Sequence, residues 1–456
     1  MTQNSDSPIT VTAIGGYDEY GRNMTAVQYK DDVVLFDMGI KLDRVLIHED
    51  VVFDETHHLD LAAMGAIPDD RVIEKVRGKV RAIVFSHGHL DHIGAVPKLL
   101  HRYKAPILCT PFTAALIRDE LADEKVHPVK ADIIAMPHGK RRRISKDLEV
   151  EMVKITHSII DAAMPVLHTP LGAVVYSNDF KLDNSPVIGS PPDYTRLKGL
   201  GQGKGTPGGG VFCLIADSTR VADETKTESE KIAREMLRDY MYGLGHESNG
   251  LIVTTFSSHI ERLKSLVEYG LALDRRVLLL GRSMEKYSAN AHKMGFAPWL
   301  DDCEVFGNRP AVERALRDAG KKKSQTMLVV TGHQGEPDAL LNRIAKKETP
   351  YKVEKNDLVI FSSNIIPHPL NVANRYVLES RLKSAKARIV KGAHVSGHGS
   401  REDHWELLNM LKPRHVIPSH GDMKQTAGYI DLGSNFDYKV NDDLHILRNG
   451  QHVTMG

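Results

Sequence analysis

Cysteine is nearly absent from this sequence: 456 residues carry only Cys109, Cys213 and Cys303. Three scattered thiols, an odd number, argue against a disulfide framework and against a thiolate zinc site, and they suit a reducing cytoplasm. An excess of either charge is also missing, with 60 basic against 59 acidic residues and a formal net charge of +1. That balance does not mark a nucleic-acid binder, yet it leaves room for one, because phosphate contacts need a local basic channel and not a basic protein. No apolar run approaches the length of a membrane span. The polar start MTQNSDSPITVTAIGG lacks a charged segment followed by an apolar one. The expectation is a cytoplasmic protein with no membrane contact, and its length points to two domains.

Histidine is what the chain has in quantity, with 23 residues. A lone one, such as His48, His101 or His246, is most simply a surface or core residue. The informative ones stand beside other metal-ligand types at the ends of apolar runs. ITVTAIGG, VVLFDMG, VRAIVFSHG, EVEMVKITHS and GAVVYSND read as β-strands whose last residue or next loop carries His or Asp. The polar stretch IHEDVVFDETHHLDLAAMGAIPDD reads as a loop excursion; its His57-His58 pair is read as solvated, with a secondary metal contact left open.

The glycine-rich GLGQGKGTPGGG, Leu200–Gly210, marks a composition shift and reads as a flexible surface loop. Beyond it strand and helix alternate: GVFCLIADST, GLIVTTFSS, RRVLLLGRS and TMLVVTGHQGE are each followed by a helical pattern. Such alternation implies a mostly parallel sheet. LVIFSSNIIP, RIVKGAHVSGHGS and HVIPSHGD then return to strands, most ending in histidines, and DLHILRNGQHVTMG reads as edge strands. The expected organisation is a first domain over residues 1–210, an inserted α/β domain over 211–356, and a completing part of the first domain over 357–456.

The strongest chemical signal is Ser86-His87-Gly88-His89-Leu90-Asp91-His92, directly after RAIVF. One tight loop can offer two imidazoles to one ion and an Asp plus an imidazole to another. Zinc prefers such nitrogen and carboxylate ligands, and a catalytic site keeps one position open. Asp37, His157, Asp179 and His420 stand at further strand ends. Each alone would be read as structural; together, in that order, they complete two coordination spheres.

These motifs resemble the metallo-β-lactamase superfamily, and the inserted domain resembles its β-CASP nucleic-acid-processing branch. More closely the chain is similar to the ribonuclease J family in its short archaeal form. GGYDEYGRNMTAV, SHGHLDHIGAVP, HSIIDA, NDFKLD, ADST, TGHQGEP, FSSNIIP, HVSGHGSREDH and PSHGD carry the likeness over nearly the whole chain. The resemblance implies a metallo-β-lactamase αββα sandwich with an inserted α/β domain. It assigns one metal to His87, His89 and His157, the second to Asp91, His92 and His420, and a bridging place to Asp179. Asp37 and Asp217 are implied as carboxylates steadying that site, and His398 as the acid for the leaving oxygen. His394 and Ser396 would contact the scissile phosphate.

The implied reaction is hydrolysis of RNA with two Zn2+ per subunit, Mn2+ or Mg2+ being possible replacements in vitro. Its implied mode is 5′-to-3′ exonuclease action on single-stranded, 5′-monophosphorylated RNA, by a homodimer. Three loops of the inserted domain are expected to form the 5′-phosphate pocket: Ser257-Ser258, Arg282-Ser283, and Gly332-His333-Gln334. Each opens a helix, where anions are favoured. The clusters Lys140–Arg143 and Lys321–Lys323 read as solvated faces. His333 stands where relatives carry Ser, and His368-Pro369 where they carry Gly-Asn.

Three other readings are weighed. A small-molecule hydrolase of this fold would have no use for the inserted domain or for HVSGHGS. An endoribonuclease of the cleavage-and-polyadenylation type is nearer, but its archaeal relatives carry added N-terminal RNA-binding domains. A non-catalytic RNA-binding scaffold would be expected to have lost ligands, and all seven are present.

Overall fold

The computed structural model describes residues 7–47, 52–126, 128–245, 249–366 and 368–456, so His48 and His246 lie outside the described residues. By contact density the chain forms two units. The first comprises residues 1–183, 191–227 and 397–456, and the second comprises 184–190 and 228–396.

The first unit is built from two sheets. One uses β1 (Ile9–Gly15), β2 (Met24–Tyr29), β3 (Asp32–Phe36), β4 (Val80–Val84), β5 (Ile107–Cys109) and β6 (Ile133–Ala135). The other uses β7 (Arg141–Arg143), β8 (Glu149–Lys154), β9 (Ala163–Thr169), β10 (Gly172–Ser177) and β11 (Val211–Asp217). Alternating strands such as β1 bury Ile9, Val11 and Ala13 on one side and leave Thr10 and Thr12 partly exposed, the period of two that a half-covered sheet imposes. The inner faces share one core, in which Phe36 and Tyr176 stack with ring centroids 4.9 Å apart. The outer face of the second sheet buries Leu197, Leu200, Leu407, Leu411 and Leu432 from three helices. This is the expected αββα sandwich.

The second unit is a parallel sheet of β12 (Leu251–Thr254), β13 (Arg276–Leu280), β14 (Glu304–Phe306), β15 (Thr326–Val330), β16 (Leu358–Phe361) and β17 (Arg388–Lys391), in the order β14-β13-β15-β12-β16-β17. Its central strands are buried throughout and apolar but for Thr254 and Thr326, as a sheet covered by helices on both faces requires.

Two more strands complete the first unit. β18 (His415–Ser419) lies beside β11, and β19 (His452–Met455) pairs antiparallel with β1, Met455 opposite Ile9.

Both expected domain boundaries are corrected by this pairing. β11 was assigned to the inserted domain, but it runs parallel to β10 and β18 within the first unit's sheet. β16 and β17 were assigned to the completing part, but β16 pairs with β12 and β17 with β16. The glycine-rich Leu200–Gly210 is a connection inside the first unit, leading from the helix Tyr194–Gly201 to β11. The stretch around His57 and His58 is also more ordered than a loop. It forms the helix His58–Ala63 and buries His58, whose Nε2 lies 2.9 Å from Arg102. Of the C-terminal segment only β19 is a strand.

Candidate metal centre

The centre is set at the carboxyl ends of β3, β4, β10, β11 and β18, where short loops leave the first unit's sheets. Asp37 follows β3 in a left-handed conformation (φ 57°), which aims its carboxylate at the next loop. There Asp37 accepts from the Ser86 N–H and from its hydroxyl, each at 2.8 Å, and lies 2.7 Å from His92 Nδ1. One buried carboxylate thus fixes both ends of the His loop.

Three more rings are held the same way, by the nitrogen that faces away from the centre. His87 Nδ1 lies 3.0 Å from the Ser86 hydroxyl, and His157 Nδ1 lies 2.7 Å from the Gly397 carbonyl. His420 Nδ1 lies 2.9 Å from Asn23 Oδ1, and the Asn23 amide donates to the Asp91 carbonyl at 3.1 Å. Gly397 is a requirement of this packing, since a Cβ there would sit 2.5 Å from the Ser158 hydroxyl and 2.9 Å from His157 Cε1.

Among the described residues three groups of ligand-type atoms result, each gathered within 4.8 Å: His87, His89, His157 and Asp179; Asp91, His92, His420 and Asp179; and Asp179, Asp217 and His398. Asp179 belongs to all three. Its Oδ2 is 3.6 Å from His87, 3.5 Å from His157 and 3.2 Å from His92, and its Oδ1 is 3.5 Å from His420. Nδ1 of His89 stands 3.1 Å from Nε2 of both His87 and His157.

The electrostatics suit cations. Burial and neighbouring imidazoles hold His87 well below the ordinary histidine range, and burial draws His89 down to about 4. Burial also lowers His157, so these three rings are neutral and each keeps one nitrogen lone pair for a cation. Burial opposes ionisation of Asp179, but His420, His92 and His398 outweigh it and keep the carboxylate charged. Among the described residues its buried Oδ1 accepts no hydrogen bond. Convergent lone pairs around a carboxylate oxygen without a donor are what divalent ions, zinc among them, would satisfy.

His398 stands at the edge of the second group. Its Nδ1 is 2.9 Å from Asp217 Oδ2, and its Nε2 is 3.9 Å from Asp179. Thr219 donates its N–H to the other Asp217 oxygen at 2.8 Å. Burial lowers the His398 pKa, but the Asp217 and Asp179 carboxylates overcome it and raise it to about 9.

The second unit does not bring the expected phosphate-binding residues into one pocket. Arg282 lines a cavity of about 460 Å³ with Arg309, Arg343 and Asn308 and with the carboxylates Glu285 and Asp338, and Ser283 follows it in the first turn of the same helix. Gln334 is committed elsewhere: its amide donates to the Asn364 carbonyl and accepts from the Ile366 N–H, both at 2.9 Å. His333 packs on Phe256 with ring centroids 4.0 Å apart, while Gly332 and Ser258 are buried and Ser257 is partly exposed. His394 and Ser396 belong to this unit, and His394 Nδ1 lies 3.3 Å from the buried Arg262. Of the basic clusters, Arg141–Arg143 forms an exposed strand, whereas Lys323 is bound to Asp357, Glu354 and a carbonyl.

Asn23 is the residue that sequence reasoning missed. It lies in GGYDEYGRNMTAV, a motif quoted for its likeness with no chemistry attached. A buried Asn at the entrance to a strand was the available signal.

Comparison with known proteins agrees with this geometry. A profile described as "Metallo-beta-lactamase superfamily" matches residues 17–216, one described as "Ribonuclease J, beta-CASP domain" matches 248–378, and one described as "Zn-dependent metallo-hydrolase RNA specificity domain" matches 384–441. A solved structure of a protein of unknown function from Enterococcus faecalis V583 shares the fold, with TM-score 0.64 and 16% identity over 98% of this chain and all of that one. The ribonuclease J of Methanocaldococcus jannaschii is 47% identical over 97% of this chain and 98% of its own length. That of Pyrococcus abyssi is 45% identical over 98% and 97%, and the ribonuclease J 1 of Streptococcus pyogenes is 30% identical over all of this chain and 76% of its own. Likeness of this extent, with three profiles in succession along the sequence, means that the chain belongs to the ribonuclease J family.

Proposed function

We propose that the chain hydrolyses RNA phosphodiester bonds as a zinc-dependent nuclease, acting mainly as a 5′-to-3′ exonuclease on single-stranded, 5′-monophosphorylated RNA. The observation that carries this reading is the pair of His/Asp groups sharing Asp179. His87, His89 and His157 would hold one ion, Asp91, His92 and His420 the second, with Asp179 common to both. Zinc held by these residues would supply Lewis acidity toward the phosphate and would lower the pKa of bound water to about 7.

The chain's own residues do the rest. Asp37, Asn23, the Gly397 carbonyl and the Ser86 hydroxyl keep His92, His420, His157 and His87 turned inward, so little reorganisation is needed during reaction. Asp217 orients the His398 ring through Nδ1 and keeps it protonated, which leaves Nε2–H available to the departing 3′-oxygen. Of the residues expected at a 5′-phosphate, Arg282 has the suitable placement, at a helix start inside the 460 Å³ cavity, where a guanidinium fork can hold a phosphate. Family likeness also supports a cytoplasmic homodimer.

The test is a time course with zinc-loaded protein on matched 5′-monophosphate and 5′-triphosphate RNAs. Mononucleotide release from the first, slow attack on the second, and loss of both in Asp179→Ala are expected, with the discrimination erased in Arg282→Ala. Intact RNA beside rapid hydrolysis of lactones or thioesters would sink the proposal.

A further inference from the structure

A second pocket lies in the second unit, away from the Arg282 cavity. It encloses about 420 Å³ between the end of the helix Leu340–Ala345 and the helix Pro369–Ser384, a volume within the range of small-ligand sites (about 300–1,000 Å³). Tyr376, Val377, Ser380, Arg381 and Ser384 line it from consecutive turns, and Ala345 and Lys347 line it from the other side.

Three features of this lining point to one class of ligand. Tyr376 is 72% exposed on the surface of a folded unit, an aromatic ring presented to solvent instead of to a core. The lining is cationic without an acid: Lys347 and Arg381 contribute, no carboxylate does, and neither forms an ion pair among the described residues. Lys352, outside the lining, donates its ammonium to the Lys347 carbonyl at 2.6 Å and so pins that segment. Arg381 spends one N–H on Asn342 Oδ1, at 2.8 Å, which holds the guanidinium in place and leaves its other donors available.

We propose that this pocket seats one nucleotide of a single-stranded RNA, the base stacked on Tyr376 and the adjoining phosphate at Lys347 and Arg381. Every base has a π-face, so an exposed ring beside backbone-directed cations recognises single strands without reading their sequence. A purely apolar partner surface would have no use for the acid-free cationic rim. The assignment rests on RNA being the substrate.

The experiment uses the zinc-loaded full chain and a 2′-O-methylated 12-nucleotide RNA carrying 4-thiouridine. Photo-crosslinks should map to the peptide containing Tyr376. Tyr376→Ala should weaken binding by about 5- to 150-fold, the range for one lost base stack, and Tyr376→Phe should keep wild-type affinity. Lys347→Ala with Arg381→Ala should flatten the salt dependence of binding by about two phosphate contacts. Wild-type affinity in Tyr376→Ala, with crosslinks elsewhere, overturns the proposal. So does a variant that binds RNA normally but changes from dimer to monomer in sedimentation, which would make this face a contact between two copies. If the wild type cuts RNA but neither effect appears, only this pocket assignment fails; if it neither binds nor cuts RNA, the substrate reading fails with it.

Discussion

His398 and Asp217 form a pair whose charge state sets the upper pH limit of the proposed reaction. An acid must be protonated to act, so the rate should fall as pH rises through the His398 pKa of about 9. Asp217→Asn removes the largest influence holding that proton, leaving burial to pull the pKa down. The alkaline limb of kcat/KM should therefore move acidward by a unit or more, which a pH–rate profile of the two proteins measures. His398→Ala should slow single-turnover cleavage by about 10²- to 10⁴-fold with little change in RNA affinity; equal losses in both would make it a substrate anchor. Asn23 works on His420 in the same way, at 2.9 Å from its Nδ1. Asn23→Ala should weaken zinc binding by about 10- to 100-fold against a competing chelator, while a wild-type melting curve of the metal-free protein shows the fold intact.

The loop after β15 carries a different titration. His333 has a buried Nδ1, and burial together with the nearby Arg375 guanidinium draws its pKa down to about 3. Between pH 6.5 and that value the unfolded chain takes up a proton that the folded chain refuses. Stability is therefore lost as pH falls below 6.5, by up to about 2 kcal/mol at pH 5. His333→Gln should shrink the difference in urea-unfolding free energy between pH 7 and pH 5 by that amount; an unchanged difference would mean the ring is protonated in place. The loops that bear candidate ligands were legible in the sequence because each follows an apolar run by a residue or two. What holds those ligands was not, since Asn23 meets His420 across 397 positions and Gly397 meets His157 across 240. Strand membership failed for a related reason. VFCLIAD and LVIF have the same burial signature, and which neighbour each pairs with is decided by long-range contacts that no local pattern records.

The two units also differ in what they owe to metal. The second has its own core, with Ile252, Leu278, Leu328, Val359 and Phe361 among its buried residues, and the candidate ligands all belong to the first unit. Stripping zinc should abolish RNA cleavage while hydrogen exchange in β12, β13, β15 and β16 stays as slow as in the loaded protein. Fast exchange there on chelation would show that metal supports the whole chain.

The pairing of β1 with β19 has a consequence for the protein's birth. At about 5–20 residues per second of synthesis, residues 228–396 are made before β18, His420 and β19 exist. The stretch 397–456 then needs roughly 3–12 s more at that rate. On the proposed ligand set, a chain still being translated holds six of its seven ligands and lacks the strand that would position the last. On that ligand set nuclease activity cannot arise, and the transcript being read is out of reach, until residue 420 has been added and β18 has formed.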